Sequence, residues 1–371
     1  MIARLAIVVA AFGTAVASAN DYFRDNYRDP RWLGRGNAAI ASVSDGTSLF
    51  YNPAGLGFNQ KVGLEFINPW FGANQNIVTS FSQLRGVSSG NQTLTEKFAP
   101  FLGDPLGGQG GIFPHFFMPG FAIGYWDYLD GQIEYRNPVN PELNLDARND
   151  HGFIAGGALS YKNLVMMGMS VRYQRRRHLY KQLDSSTVFG GTTALLKDLQ
   201  AKGDAFGVNL GLQVRKDWSV STAAFGLTLD DLGVTSFRNQ TGGEAPPRQA
   251  QSLNAGVSYG LKTRFGGASF HFDYKHMLDS EIDLTKKLFF GAEVNLPLVD
   301  VRAGMFQGYW TAGVAVAIMP FVELQAVSYG EELGSAAGLR PNRFYLLGLR
   351  IGADLEKKKG KTKQRYTLDK Y

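Results

Sequence analysis

The sequence predicts an all-β protein: an antiparallel β-barrel of about fourteen strands that crosses a membrane. Three observations predict it. From residue 204 to residue 352, apolar residues alternate with small or polar ones, stretch after stretch, and a period of two marks half-buried strands. The connections between these stretches are alternately short and long. The chain opens on an export-type leader and carries 26 Phe, 16 Tyr and 5 Trp, while only 19% of its residues are charged. In a soluble sandwich the apolar face of each strand turns inward. In a membrane barrel it faces lipid, small and polar residues line the lumen, and aromatic girdles mark both interfaces. The leader and the aromatic content select the barrel.

The N-terminus comes first. Arg4 precedes the apolar stretch Leu5–Val16, which at 12 residues is too short to span a bilayer as a helix. Ala17-Ser18-Ala19 fits the small-x-small cleavage rule, so residues 1–19 read as a signal peptide and the mature chain begins near Asn20. No later apolar run reaches the length of about 18 residues that a membrane helix needs. Cysteine is absent, so an oxidising compartment poses no thiol chemistry. At the other end, residues 355–371 form a basic tail that accounts for most of the net charge of +6. The tail is solvated and periplasmic in this reading. It has no folded groove and few stacking residues, so nucleic acid is not a predicted partner.

The predicted strands lie near 75–83, 118–126, 131–137, 152–161, 165–175, 204–215, 218–229, 251–262, 265–276, 287–296, 299–307, 310–318, 321–329 and 343–353. Residues 61–70 are also strand-like. They read as the lead-in to one long first strand bent near Pro69 and Gly72, with a place inside the barrel as the alternative. Short connections fall at Lys162–Leu164, Lys216-Asp217, Thr263-Arg264, Pro297-Leu298 and Met319-Pro320, and long ones at 84–117, 138–151, 176–203, 230–250, 277–286 and 330–342; the connection near 308–309 is an exception on the long side. An even strand count places both termini on one side, the periplasm for an exported chain. In 204–215 Phe206, Val208, Leu210, Leu212 and Val214 share the lipid face, and Asn209 and Gln213 the lumen face. A two-residue hairpin turn pairs residues whose numbers sum to an odd total, so the apolar face must change parity across Lys216-Asp217 and Pro297-Leu298. It does. The same register sets Glu293 opposite Arg302 in the lumen, a cross-strand ion pair. The predicted polar lumen comprises Arg172, Arg215, His271, Asp273, Lys275, Glu293, Asp300, Arg302, Glu323 and Arg350.

Residues 31–57, RWLGRGNAAIASVSDGTSLFYNPAGLG, resemble the start of the FadL-like outer-membrane barrels, which include hydrocarbon transporters and PorV-type proteins. Gly34, Gly36 and Asp45 match the glycine turn and the middle of the family's pattern. Asn52, Pro53, Ala54, Gly55 and Leu56 match its most diagnostic five residues. The motif covers about 27 residues; beyond it only the architecture is shared. The resemblance implies that residues 20–60 form a hatch inside the periplasmic end of a barrel spanning 61–354, in a bacterial outer membrane. The glycines permit tight turns, and Asn52-Pro53 suits a rigid one. Two departures stand out: the presumed lumen carries charges of both signs, and a basic tail follows the last strand.

Residues 98–121 form a Phe/Pro/Gly-rich apolar loop in this reading. Phe98, Phe101, Leu102, Ile112, Phe113, Phe116 and Phe117 are candidates to bind a hydrophobic ligand at the outer mouth or to pack there as a plug. Arg175-Arg176-Arg177-His178 marks either an ordinary loop stem or a contact for lipopolysaccharide phosphates, since arginine grips phosphate in bidentate fashion. The five His have no metal-pair spacing, and no Gly-x-Ser-x-Gly occurs. No enzyme, metal or cofactor is predicted. The leading function is passive binding or passage of a hydrophobic small molecule. The alternative is a PorV-type scaffold that docks secreted or surface proteins, which the polar lumen favours. Expected partners are outer-membrane lipid and lipopolysaccharide, with the hydrophobic ligand or a secreted protein beside them.

Overall fold

The computed structural model describes residues 25–81, 99–137, 142–161, 164–183, 200–240, 244–263 and 266–356. The predicted signal peptide, Phe98 and the tail beyond residue 356 lie outside the described residues.

Fourteen strands follow one another around a closed antiparallel sheet. β1 runs in two segments, Lys61–Ile67 and Trp70–Asn74, and β2 likewise in Pro105–Ile112 and His115–Met118. Then come β3 (Phe121–Arg136), β4 (Glu142–Tyr161), β5 (Val165–Leu183), β6 (Ala201–Asp217), β7 (Ser221–Asp230), β8 (Ser252–Thr263) and β9 (Gly266–Tyr274). The series ends with β10 (Leu288–Asn295), β11 (Val299–Phe306), β12 (Tyr309–Met319), β13 (Val322–Glu332) and β14 (Pro341–Glu356). β14 pairs back onto β1, from Lys61 opposite Glu356 to Asn74 opposite Phe344, so the sheet closes without an edge. No helix among the described residues is long and apolar enough to cross a membrane.

Alternation sorts the two faces as the sequence indicates. On β6, Phe206 and Leu210 are exposed on the outside while Asn209 and Gln213 are buried inside. The β6–β7 turn is 218–220, not Lys216-Asp217, and Val214 faces Phe225. Those numbers still sum to an odd total, so the faces are unchanged. Glu293 sits opposite Arg302, and their side chains pair at 3.0 Å. Short turns gather at one end (119–120, 218–220, 296–298 and 320–321 among them) and the long connections at the other. The turn at 307–308 is the short exception, with Gln307 and Gly308 both at positive φ as a tight hairpin requires.

The strand count is right although three assignments change. Residues 75–81 are not a strand, and 82–83 lie outside the described residues: Asn74 caps a helix at Gln75–Thr79, accepting from the Ile77 N–H at 3.2 Å. The predicted strands 118–126 and 131–137 are a single strand, β3. Its polar middle, Asp127–Gly131, reads as a turn but is hydrogen-bonded on both sides, with Gly111 and Asp150 flanking Tyr128. The apolar loop 98–121 is mostly β2. Its Gly107, Gly108, Gly110 and Gly111 present no side chains, so the period of two is invisible there. One strand gained and one lost leave the total at fourteen.

Both bent strands break at a proline, Pro69 in β1 and Pro114 in β2, where a ladder N–H is missing. The Asn68 amide fills the gap. It donates to the Phe113 carbonyl and accepts from the Phe113 N–H, both at 2.7 Å, as a neighbouring backbone would.

Candidate functional site

The lumen is occupied. Residues 25–58 fold inside it as two short helices, α1 (Pro30–Gly34) and α2 (Ser48–Tyr51), followed by a 3-10 turn at Pro53–Phe58. Asp29 caps α1 by accepting from the Arg31 N–H, with Pro30 at the first helical position. The side chain of Asn52 fixes the NPAGL turn: it accepts from the Ala54 N–H at 3.1 Å and donates to Ile40 O and Leu212 O. The turn lies at the short-turn end, where the Gly120 N–H donates to Leu56 O. Ala54, Gly55 and Leu56 are buried there. Gly36, at φ +70, lies so close to the wall that an added Cβ would sit 2.1 Å from the Phe290 carbonyl.

One wall holds this segment by charge. Arg35 is buried and bonds to Glu293 at 2.8 Å and to His271 at 3.0 Å. Glu293 also accepts from Arg302, which reaches Asp300 at 3.3 Å. Asp273 accepts from the Ala39 and Ile40 N–H groups, and Lys275 donates to the Asn37 carbonyl at 2.8 Å. Burial pulls the Arg35 guanidinium down to about 10, with Glu293 opposing the shift. Burial, reinforced by the Glu65 carboxylate, pushes the Asp29 carboxyl up to about 6.

The opposite wall holds it by aromatic packing. Tyr27 and Phe50 of the segment lie 5.5 and 5.0 Å from the ring of Phe113 on β2, and Phe50 lies 5.5 Å from Trp126 on β3. These rings belong to one contiguous buried cluster. At the long-loop end it contains Phe289, Phe306, Tyr329 and Phe344; in the middle Trp70, Trp126 and Tyr128; at the short-turn end Phe117. An aromatic column therefore runs from β10 and β11 at the long-loop end, across β13, β14 and β1, to β2 and β3 at the short-turn end, and Tyr27 and Phe50 close it.

The residues singled out from the sequence fall into both walls. Phe113 and Phe117 are buried in the column, so they do not lie at the outer mouth. Ile112 and Phe116 are half-buried on the same strand. Phe101 is buried in a short turn at Ala99–Phe101, and Leu102 is exposed beside it. Glu323 is buried and accepts from Gln325. Arg350 pairs with Glu65. Arg172 is buried against Asp231 and Asn209. Arg215 is half-exposed at the short-turn end, paired with Asp217. Asp45 accepts from Arg31 at 3.0 Å.

Sequence reading passed over Arg28, which pairs with Glu331 at 2.9 Å, and the buried Asp150, gripped by Arg176 through two bonds of 2.8 and 2.9 Å. The period of two in 142–161 held the signal for Asp150. Arg28 precedes the motif and carried none. Between the segment and the long-loop end lies a small cavity of about 90 Å³, and at the mouth a polar one of about 470 Å³ whose lining includes Glu134, Asp146, Glu331 and Arg340.

No family model and no curated protein matches the chain. Among solved structures, the toluene transporter TbuX of Ralstonia pickettii aligns at TM-score 0.47 and 11% identity, over 90% of this chain and 99% of that one. The toluene transporter TodX of Pseudomonas putida aligns at TM-score 0.42 and 12% identity, over 88% and 98%. A FadL homologue of Pseudomonas aeruginosa aligns at TM-score 0.34 and 10% identity, over 92% and 99%. The chain is similar to FadL-family hydrocarbon transporters. At such scores the likeness says nothing of cargo, and the fourteen-strand closure is read from this chain's own pairing.

Proposed function

We propose that the protein is a non-enzymatic outer-membrane barrel for passive passage of a small hydrophobic molecule. One observation carries this reading: a contiguous aromatic column from the long-loop end to the short-turn end of the lumen, closed by Tyr27 and Phe50 of a segment that is not part of the barrel. Aromatic faces offer a neutral solute contact without demanding hydrogen bonds, and passage requires only that the two rings withdraw. The outside of the barrel suits a membrane. Phe66, Phe71, Phe153, Leu159, Phe206 and Leu347 are exposed there, and a surface so apolar is costly in water. The test is flux through proteoliposomes. A neutral fluorescent naphthalene derivative crosses, a sugar of similar size does not, and Phe113→Arg stops the first. Equal flux of both probes would reject the reading.

A second reading, a closed scaffold that docks another protein, draws on the charged wall. Arg35, Glu293 and Arg302 are each at most 3% exposed, and both arginines pair with Glu293, which favours a segment that never leaves. Deletion of residues 31–57 without any gain in flux, in a barrel with normal heat-modifiable mobility, selects this reading.

A further inference from the structure

β4, β5 and β6 continue well past the apolar belt toward the long-loop end, and their outward side chains change character in rows. Strand pairing sets Tyr125, Phe153, Tyr173 and Phe206 side by side in one row across β3–β6. Tyr125–Phe153 and Tyr173–Phe206 centroids are each 5.2 Å apart. Below this row the outward residues of β5 and β6 are apolar, with Val171, Met169 and Leu210 exposed. Near the short-turn end, Tyr161, Trp218 and Phe321 are exposed. From Phe153 to Tyr161 the chain rises about 26 Å along the strand. A tilt of about 40° brings that to about 20 Å, near the height of a lipid-facing band. The upper row is therefore the outer aromatic girdle.

Immediately above it, charged side chains replace aromatics in a row of Asp127, His151, Arg175 and Asp204, and the cations gather on β5 and β6. Arg175 pairs across to Asp204, and Arg177 to Lys202. Arg238 adds beside Asp204 from the loop after β7. Arg175, Arg177 and Arg238 are exposed. Arg175 donates to the Tyr173 hydroxyl at 3.1 Å, which ties the first cation to the girdle. The carboxylate of Asp204 accepts from the neutral Gln240 at 2.7 Å. Among the described residues, Arg177 and Lys202 have no carboxylate within ion-pair distance. Their neighbours Arg176 and His178 point the other way, to Asp150 and Asp146 in the lumen. Strand alternation thus splits the Arg175–His178 run, spending half on the lumen and leaving half at the level of lipid headgroups.

We propose that Arg175, Arg177 and Lys202 bind the phosphate of an outer-leaflet lipid whose acyl chains lie on the apolar rows below. The partner is a phosphorylated glycolipid of the lipid A type. The order of apolar, aromatic and cationic rows on one face matches the order of acyl chain, sugar and phosphate in such a molecule. Guanidinium groups grip phosphate through paired N–H donors. This inference rests on the outer-membrane orientation proposed above.

Purified full-length protein in detergent, incubated with diphosphorylated lipid A and examined by native mass spectrometry, tests it. Wild type retains the lipid. The combined Arg175→Gln, Arg177→Gln and Lys202→Gln variant retains it about a hundredfold less, as expected for three interfacial cations. Arg177→Lys, which keeps the charge and loses the paired N–H donors, falls between wild type and the triple variant, and Lys262→Gln at the short-turn end has no effect. Enzymatically dephosphorylated lipid A binds as weakly to wild type as the intact lipid binds to the triple variant. Inorganic phosphate does not compete. Equal retention by the triple variant, or equal binding of dephosphorylated lipid, overturns the proposal. Competition by inorganic phosphate overturns the commitment to a lipid. Heat-modifiable mobility of each variant separates a binding defect from misfolding. A protein recovered as a soluble species would sink the membrane reading instead, whatever the lipid result.

Discussion

On the wall made by β2 and β3 the N-terminal segment meets rings, with Tyr27 and Phe50 against Phe113, Trp126 and Tyr128 at centroid distances of 5.0 to 6.4 Å. On the wall made by β9–β11 it meets charges, with Arg35 between Glu293 and His271, and Asp273 holding two backbone N–H groups. The two contacts differ in what they permit. Aromatic packing is non-directional, and a neutral solute can replace it ring for ring. A buried ion pair is all or none, because removing one partner strands the other in a dry site. The charged wall therefore acts as the anchor and the aromatic wall as the side that can yield.

The sharpest way to break this contrast is at the anchor. Glu293→Leu leaves Arg35 buried without its carboxylate and Arg302 with Asp300 alone, and loss of one partner of such a pair costs about 3–5 kcal/mol. Unfolding of the detergent-solubilised barrel should show that loss, whereas Arg215→Gln, at a half-exposed pair, should barely register. Similar small losses at both sites would deny the anchor.

The next effect concerns the outside. Leu210→Arg places a cation on the lipid face and should cost about 2–4 kcal/mol near the midplane. Asn209, its lumen-side neighbour, is not a mild control. Its carbonyl oxygen accepts from Arg172 at 3.0 Å and from the Asp231 N–H, so Asn209→Arg sets two guanidiniums together. Detergent unfolding of Leu210→Arg at wild-type stability would contradict the face assignment.

A smaller effect is pH-dependent. The Asp29 carboxyl, pushed up to about 6 in the folded chain from 3.8, holds more protons there than when unfolded. Its contribution is fully present below about pH 4 and is lost as pH rises through about 6. Hydrogen exchange in residues 29–35 should quicken between pH 5 and pH 7.5, after correction for intrinsic rates, and Asp29→Asn should flatten that change. An unchanged slope in the variant would remove Asp29 as its source.

Much of this was readable from residues and some was not. The period of two gave β5–β14 and their faces because each strand there opposes large apolar residues to small polar ones, as Phe206 and Leu210 oppose Asn209 and Gln213. It was blind in β2, where glycines erase the pattern, and it was misled in β3, where Asp130 lines the polar cavity at the mouth and Asp127, on the outer face, accepts from Asn149, both within an unbroken strand. The Glu293–Arg302 pair followed from turn parity alone. The aromatic column could not be read at all. Phe113 sits next to Tyr27 and Phe50 only because the N-terminal segment folds back into the lumen, and no local pattern encodes that distance.

The central claim is that Tyr27 and Phe50 close the aromatic column. The most direct measurement is flux of the neutral naphthalene probe through proteoliposomes carrying wild type or the Tyr27→Ala/Phe50→Ala variant, with sugar leakage followed in parallel. The account predicts a several-fold rise in probe flux with sugar exclusion intact, because the charged wall still anchors the segment. Probe flux no greater than in wild type, in a barrel shown to be folded, would contradict it.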